Sequence, residues 1–353
     1  MLSNPNFEIG GVPVGPAHPP FVIAEMSGNH NQSLERALAI VDAAADAGAH
    51  AIKLQTYTAD SITLDVRHGE FFVSDPDNLW AGRSLHNLYQ QAHTPREWHA
   101  PIFRRARDRG LVCFSSPFDE EAVDFLQSLD APAFKIASFE NTHLPLIRKA
   151  ASTGKPLIMS TGMATLGELE EAVATARAAG CRDLVLLKCT STYPASPSTT
   201  HVRTIPHMRQ LFDVAVGLSD HTMGVGVAVA AVAMGACVVE KHFTLNRADG
   251  GVDSSFSLEP AELRLLVEET RRAWDGLGSI HYGPTEAEKK SLAYRRSLYV
   301  GADMQAGDMF DTTNLRIVRP GKGLAPRHFD QLLGRRVRRA VTKGTAVSWD
   351  LVD

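Results

Sequence analysis

Lysine and glutamate are rarely buried in apolar strands unless they are paired or functional. In this 353-residue chain, short apolar runs repeatedly end in such groups. The first run presents Glu25, the second Lys53 and Gln55, and the third Ser115 and Ser116. The fourth presents Lys135 and Ser138, with Glu140 just beyond, and the fifth Ser160 and Thr161. Lys188, Ser191 and Tyr193 follow the sixth, and Ser219, Asp220 and His221 the seventh. The eighth ends in Glu240 and His242. Two lysines with a ring of hydroxyls meet the needs of a phosphate or carboxylate: fixed positive charge and several donors. Two histidines on neighbouring strand ends can share one divalent cation.

Each reading has a structural competitor. Lys53 and Lys135 could pair with Glu25 or Glu140 inside a core. Both lysines together, with four serines at one level, favour an anion site. His221 and His242 could be satisfied core histidines. A pair on adjacent strands, each beside an acid, favours metal. Asp253, after Gly250-Gly251, could be a turn residue.

The positioning elements follow from the repeat. The runs are Phe21–Met26, Ala51–Tyr57, Leu111–Ser116, Ala133–Ser138, Pro156–Thr161, Leu184–Thr190, Val214–His221 and Cys237–Thr244. Continuous apolar runs suit parallel strands buried on both faces. The intervening segments read as capped helices. Ser33 caps a stripe of Leu34, Leu38, Val41 and Ala45 that ends at Gly48. Thr94 with Glu97, and Thr165 with Glu168, read as capping boxes, ended by Gly110 and Gly180. Eight such units predict a (β/α)8 barrel, with an open doubly wound sheet as the alternative. No GxGxxG follows the first strand, which argues against a dinucleotide fold. Phe7–Val14 reads as a hairpin closing the barrel bottom. The segment from Thr58 to His93 is too long for a plain βα loop and needs a function or elements of its own. The expected domains are a barrel over 1–279, a linker over 280–294 and a small β-rich module over 295–353. In that module Ser297–Val300, Asn314–Val318 and Val337–Ala340 read as strands. Its size is marginal for an isolated core, so a packing partner is expected.

Bulk properties remove several classes. A net charge of −4 gives no basic field for nucleic acid. Cys113, Cys181, Cys189 and Cys237 form no CxxC pair and read as reduced and structural, as in the cytoplasm. Met1–Gly11 carries no apolar signal core. The apolar stretch from Val225 to Val239 is short for a membrane span and reads as a small-residue core helix.

The ordered motifs resemble the sialic acid synthase family over nearly the whole chain. They are Glu25 with Gly28-Asn29-His30-Asn31, Lys53-Leu54-Gln55, Ser116-Pro117-Phe118 and Lys135-Ile136-Ala137-Ser138 with Glu140. Ser160-Thr161-Gly162-Met163, Gly217-Leu218-Ser219-Asp220-His221-Thr222 and Glu240-Lys241-His242-Phe243 complete the set. The tail, with Arg319-Pro320-Gly321, is similar to that family's antifreeze-like (SAF) module. Finer wording resembles the branch making pseudaminic acid more than the neuraminic or legionaminic branches. It lies in Asn31-Gln32, residues 54–60, Trp98-His99, residues 114–119 and 188–191. Ser191 stands where the neuraminic branch typically has asparagine.

The resemblance implies condensation of phosphoenolpyruvate (PEP) with an amino-sugar aldehyde in the cytoplasm, serving surface glycans such as those on flagellin. It implies that Lys53, Ser116, Lys135, Ser138, Ser160 and Ser219 hold PEP, and that Glu25, Gln55, Tyr193 and Asp253 face the sugar. His221 and His242 would bind Mn2+, with Mg2+ or Co2+ as substitutes. Arg319 would reach the barrel of the other subunit in a domain-swapped homodimer. Glu25, Glu140 and Asp253 are the candidate proton handlers. Two rival readings have distinct signatures. A Schiff-base aldolase would use one of Lys53, Lys135, Lys188 and Lys241 and need no metal. A non-catalytic binding protein would leave the strand-end charges idle, where they cost stability.

Overall fold

A computed structural model describes residues 6–76 and 78–353. Residues 1–5 of the segment read for a leader, and Asp77 in the long loop, lie outside the described residues. The chain divides at Gly278/Ser279 into two compact units.

The first unit opens with a hairpin of β1 (Phe7–Ile9) and β2 (Val12–Val14). Its turn is Gly10-Gly11, with φ of 57° and 83°, the left-handed region in which glycine carries no side-chain penalty. Eight strands follow: β3 (Phe21–Glu25), β4 (Ala51–Thr56), β5 (Val112–Pro117), β6 (Phe134–Ile136), β7 (Leu157–Ser160), β8 (Leu184–Cys189), β9 (Ala215–Asp220) and β10 (Val238–His242). All eight pair in parallel, and β10 pairs with β3 to close the barrel, which excludes the open sheet.

Strand alternation sorts the side chains. Val22, Ala24, Ile52, Leu54, Val216 and Leu218 face outward into the core shared with the helices. Phe21, Ile23, Ala51, Val112, Phe114, Ile158, Val185 and Leu187 face inward, and Ile9 and Val14 of the hairpin join them. The lower barrel is therefore an apolar floor. Gly217 belongs to this packing. A Cβ there would stand 2.3 Å from the Val238 carbonyl oxygen and 2.6 Å from Leu187 Cδ2.

Ser33 caps the helix Leu34–Asp46, accepting from the Arg36 amide. Its fully buried stripe is Ala37, Ile40, Val41 and Ala44, rotated from the expected one. Thr165 and Glu168 form their capping box on Leu166–Ala178. Thr94 does not cap: its helix starts at Arg96, and the hydroxyl lies 3.3 Å from His30 Nε2. The apolar stretch 225–239 is a short helix, Gly226–Ala233, leading into β10 rather than one long helix. Among the described residues no helix is long and apolar enough to cross a membrane. The long loop carries its own elements, helices Ala59–Ile62 and Leu85–Ala92 and a 3-10 turn at Gly69–Phe71.

In the second unit, residues 281–291 are exposed and lead through a 3-10 turn at Lys289–Tyr294. β11 (Ser297–Val300) pairs antiparallel with β12 (Leu315–Val318). The expected strand at 337–340 is absent as a strand. Val337 and Val341 instead make single bridges to Val352 and Met304. Leu298, Val300, Phe310, Leu315, Leu332 and Val347 form a small core of the unit's own.

Candidate active site

Above the apolar floor the same inward register continues as Glu25, Lys53, Gln55, Lys135, Ser160, Cys189, Ser219, Glu240 and His242. They line a cavity of about 460 Å³ at the C-terminal mouth of the barrel, where barrel enzymes place their chemistry. Ser138, Glu140, Tyr193, His221 and Asp253 join it from the following loops.

One carboxylate organises the charges. Glu240 Oε1 lies 3.7 Å from Lys53 Nζ and 3.6 Å from Lys135 Nζ and accepts from the Ser219 hydroxyl at 3.2 Å. Lys53 also pairs with Glu25 at 2.6 Å and donates to Ser116 at 3.2 Å. Lys135 donates to Ser160 at 2.7 Å. Gln55 donates to Glu25 at 3.1 Å. The structural pairing of Lys53 with Glu25 therefore exists within the anion-ready layer, while Glu240, not Glu140, is the partner of Lys135. Burial would raise the Glu240 carboxyl, but Lys135 and Lys53 overcome it and hold the group below its ordinary value. Burial pushes Glu25 up to about 7 against the opposing pull of Lys53. Burial depresses Lys53, yet Glu240 and Glu25 outweigh it and raise the ammonium. For Lys135, burial wins and lowers it.

The histidine rings lie 5.4 Å apart, with Tyr193 4.5 Å from His221 and Phe256 4.9 Å from His242. His221 Nδ1 donates to the Thr190 carbonyl oxygen at 2.9 Å, so Nε2 is the nitrogen that would meet a metal when the ring is neutral. His242 Nδ1 is buried without a hydrogen-bond partner and lies 3.8 Å from Asp253. Burial, with His221 and the lysines, holds His242 well below its ordinary value and so neutral, the form that ligates metal. Among the described residues no group of three or more His, Cys, Asp or Glu side chains could hold a metal. A divalent ion there would rest on two imidazoles, with water or substrate completing its shell. The orphaned Nδ1 and the neutral ring fit that role. Asp253 accepts from Ser27, and burial raises its carboxyl.

Several residues fall elsewhere than expected. Ser115 points outward, 2.6 Å from Thr56 Oγ1, which also meets His99 Nε2 at 2.8 Å. Ser116 is fully buried behind Lys53 and does not line the cavity. Asp220 and Lys241 pair at 2.8 Å, and Lys241 also donates to the Thr222 and Gly224 carbonyls. Lys188 donates to the Cys189 carbonyl. Neither Lys188 nor Lys241 lines the cavity, which removes two of the four aldolase candidates. Arg319, in the second unit, is exposed just beyond β12.

Cys189 is the principal omission. Read as a structural thiol, it lines the cavity 3.9 Å from His221 Nδ1. Burial raises its thiol, but His221 lowers it further, to about 7, and the same contact raises His221. Its inward position follows from the alternation Val185, Leu187, Cys189, so register was the available signal. The long loop supplies the rest of the wall. Trp80 Nε1 donates to the Val252 carbonyl at 3.1 Å, tying the loop to the segment that carries Asp253.

Glu140 offers an independent check on the site's electrostatics. Its Oε2 is buried without a partner, and burial lifts the carboxyl to about 7 from 4.5. Between those values the folded chain keeps a proton that the unfolded chain releases, so stability falls as pH rises through the window. Glu140→Gln removes that loss. The variant should exceed the parent in stability at about pH 8 by on the order of 1–3 kcal/mol, and match it near pH 4. Thermal unfolding at both pH values checks this; an offset independent of pH would contradict it.

A closed barrel that gathers two lysines, several hydroxyls and carboxylates at its C-terminal mouth has the layout of a barrel enzyme. The chain belongs to the NeuB family, whose model matches residues 40–282, and residues 295–353 match the SAF domain. It is 43% identical over 327 residues to a pseudaminic acid synthase of Campylobacter jejuni, covering 93% of this chain and 95% of that one. It is 38% identical to the pseudaminic acid synthase of Helicobacter pylori, covering 95% and 98%. Among solved structures, the N-acetylneuraminic acid synthetase of Leptospira borgpetersenii, in complex with citrate, matches with a TM-score of 0.72 and 30% identity. That match covers 82% of this chain and 95% of that one.

Proposed function

We propose that this enzyme condenses PEP with 2,4-diacetamido-2,4,6-trideoxy-L-altrose and water, giving pseudaminic acid and phosphate by C–O cleavage. The observation that carries this is the inward layer in which Lys53 and Lys135 converge on Glu240 beside two histidines. The likeness to pseudaminic acid synthases supports the choice of sugar.

In this reading Lys53 and Lys135 hold the phosphate and carboxylate of PEP by charge, and Ser138, Ser160 and Ser219 orient them by hydrogen bonds. C3 of PEP forms a bond to the aldehyde carbon, whose oxygen takes up a proton. Water adds to C2, and one of its protons balances the one taken up by the aldehyde oxygen; the C2–O bond to phosphate then breaks as the C2 hydroxyl becomes the keto group and its proton passes to phosphate. Glu25 and Glu140, both pushed up to about 7, can hold or release a proton near neutrality. Asp253, which accepts from Ser27, is the third candidate. Gln55 and Tyr193 face the sugar. His221 and His242 would hold a divalent ion, Mn2+ or failing that Mg2+ or Co2+, which as a Lewis acid supplies polarisation of the aldehyde carbonyl. Arg319 would meet the sugar from a second subunit in a swapped homodimer. The enzyme would work in the cytoplasm, where PEP is made, and its product would serve surface glycans such as those on flagellin.

Phosphate release from PEP tests this, measured after EDTA and again after Mn2+, with the altrose, its legionaminic counterpart or N-acetylmannosamine as acceptor. Metal-restored release with the altrose alone is expected. Release with another sugar only would replace the pseudaminic assignment by a neuraminic or legionaminic one. Borohydride trapping on a lysine without metal would replace the mechanism by an aldolase.

A further inference from the structure

The cavity has two chemically distinct halves. Its depth is polar and charged, as described. Beside that layer lies an apolar wall made by Ile62, Val73, Leu85, Leu88 and Ala92 of the long loop, with Phe118 beyond β5, while Tyr57, Asn78, Trp80 and Tyr89 line the same cavity. None of the six wall side chains has a hydrogen-bonding atom. Leu88 is 5% exposed and Ala92 8%, and Ile62, Val73, Leu85 and Phe118 are half-buried. The wall is also braced: Ser84 caps the helix that carries Leu85, Leu88 and Ala92, accepting from the Asn87 amide. Tyr57, buried at the end of β4, packs edge-on to both Tyr89 and Phe118, at 5.7 Å and 5.0 Å. A polar substituent pressed against such a surface gives up water and gains no partner.

We propose that this wall is an apolar subsite for the methyl-terminated end of the acceptor, and that it selects 6-deoxy over 6-hydroxy sugars. The inference rests on the synthase reading and deepens it. With PEP held by the lysines in the depth, the acceptor must turn its aldehyde downward. Its far end, C6, then meets the loop wall. A C6 methyl buries apolar surface against these six side chains, whereas a hydroxymethyl pressed on them gives up water and gains no bond from them. Discrimination of about tenfold to a hundredfold is the range such a pocket gives.

The test compares steady-state phosphate release with two acceptors differing only at C6, deoxy against hydroxy, for the parent, Val73→Thr and Leu88→Asn. Val73→Thr keeps side-chain shape while adding a hydroxyl, and it guards against misfolding of the more buried Leu88→Asn. Thermal unfolding identifies the folded variants. The expected result is a fall of about tenfold in the deoxy-to-hydroxy ratio of kcat/KM, with the KM for PEP unchanged. An unchanged ratio in the folded variants, with the parent active, would overturn the subsite alone. No phosphate release by the parent with either acceptor would overturn the synthase reading and the subsite with it.

Discussion

His242→Ala should cut phosphate release by about 10³-fold, the scale lost when a main electrostatic group is removed from a preorganised site. His242 Nδ1 is buried and unpartnered, its ring neutral, and His221 stands 5.4 Å away with its tautomer fixed by Thr190. Alanine removes one of two imidazoles, so Mn2+ affinity should fall together with turnover. Titration calorimetry with Mn2+ reads the first and the phosphate assay the second. Undiminished turnover that ignores EDTA would remove the metal assignment. Loss of turnover with Mn2+ binding intact would move His242 to a role in orienting substrate.

The second large effect concerns Lys53, whose loss should damage both binding and stability. The sequence alone suggests that Lys53→Ala chiefly weakens PEP binding. The structure adds that Lys53 sits between Glu25 and Glu240, at 2.6 Å and 3.7 Å. Removing it leaves Glu25 without its cation and Glu240 with Lys135 alone, and breaking a buried pair costs about 3–5 kcal/mol. The KM for PEP should rise, by about a hundredfold if one charge-assisted contact of roughly 3 kcal/mol is lost. Adding Glu25→Gln to Lys53→Ala should recover part of the stability and none of the PEP affinity. Denaturant unfolding and PEP titration separate the two effects. Recovery of both together would show that PEP binding was lost only through distortion of the site.

Much of this site was legible because barrel strands obey a two-residue alternation. Once Lys53, Lys135 and Glu240 are read as strand residues with apolar neighbours, a layer of charge above an apolar floor follows. What the sequence hid was direction at the strand ends. Ser115 and Ser116 are adjacent and chemically identical, yet one joins Thr56 and His99 outside the barrel and the other stands behind Lys53. Asp220 sits beside His221 but turns outward to Lys241. Composition also misled: a cysteine in an apolar run reads as packing, and only the register of Val185, Leu187 and Cys189 turns it toward His221. The apolar wall was least legible, since the segment 58–93 has no periodic pattern that says which side chains meet across the cavity. In the tail, Val337–Ala340 has strand-like composition but pairs only through single bridges, because its neighbours run past it too briefly to form a ladder.

The hairpin floor has a consequence for traffic. With Ile9, Val14, Phe21, Ile23 and Phe114 all buried across the lower barrel, the well is blind. Reactants, water and products share one doorway, and that makes the order of events a matter of depth. On the proposed placement, with PEP on the lysines beneath the sugar, the anion arrives before the sugar, and phosphate, released beneath the nine-carbon product, leaves last.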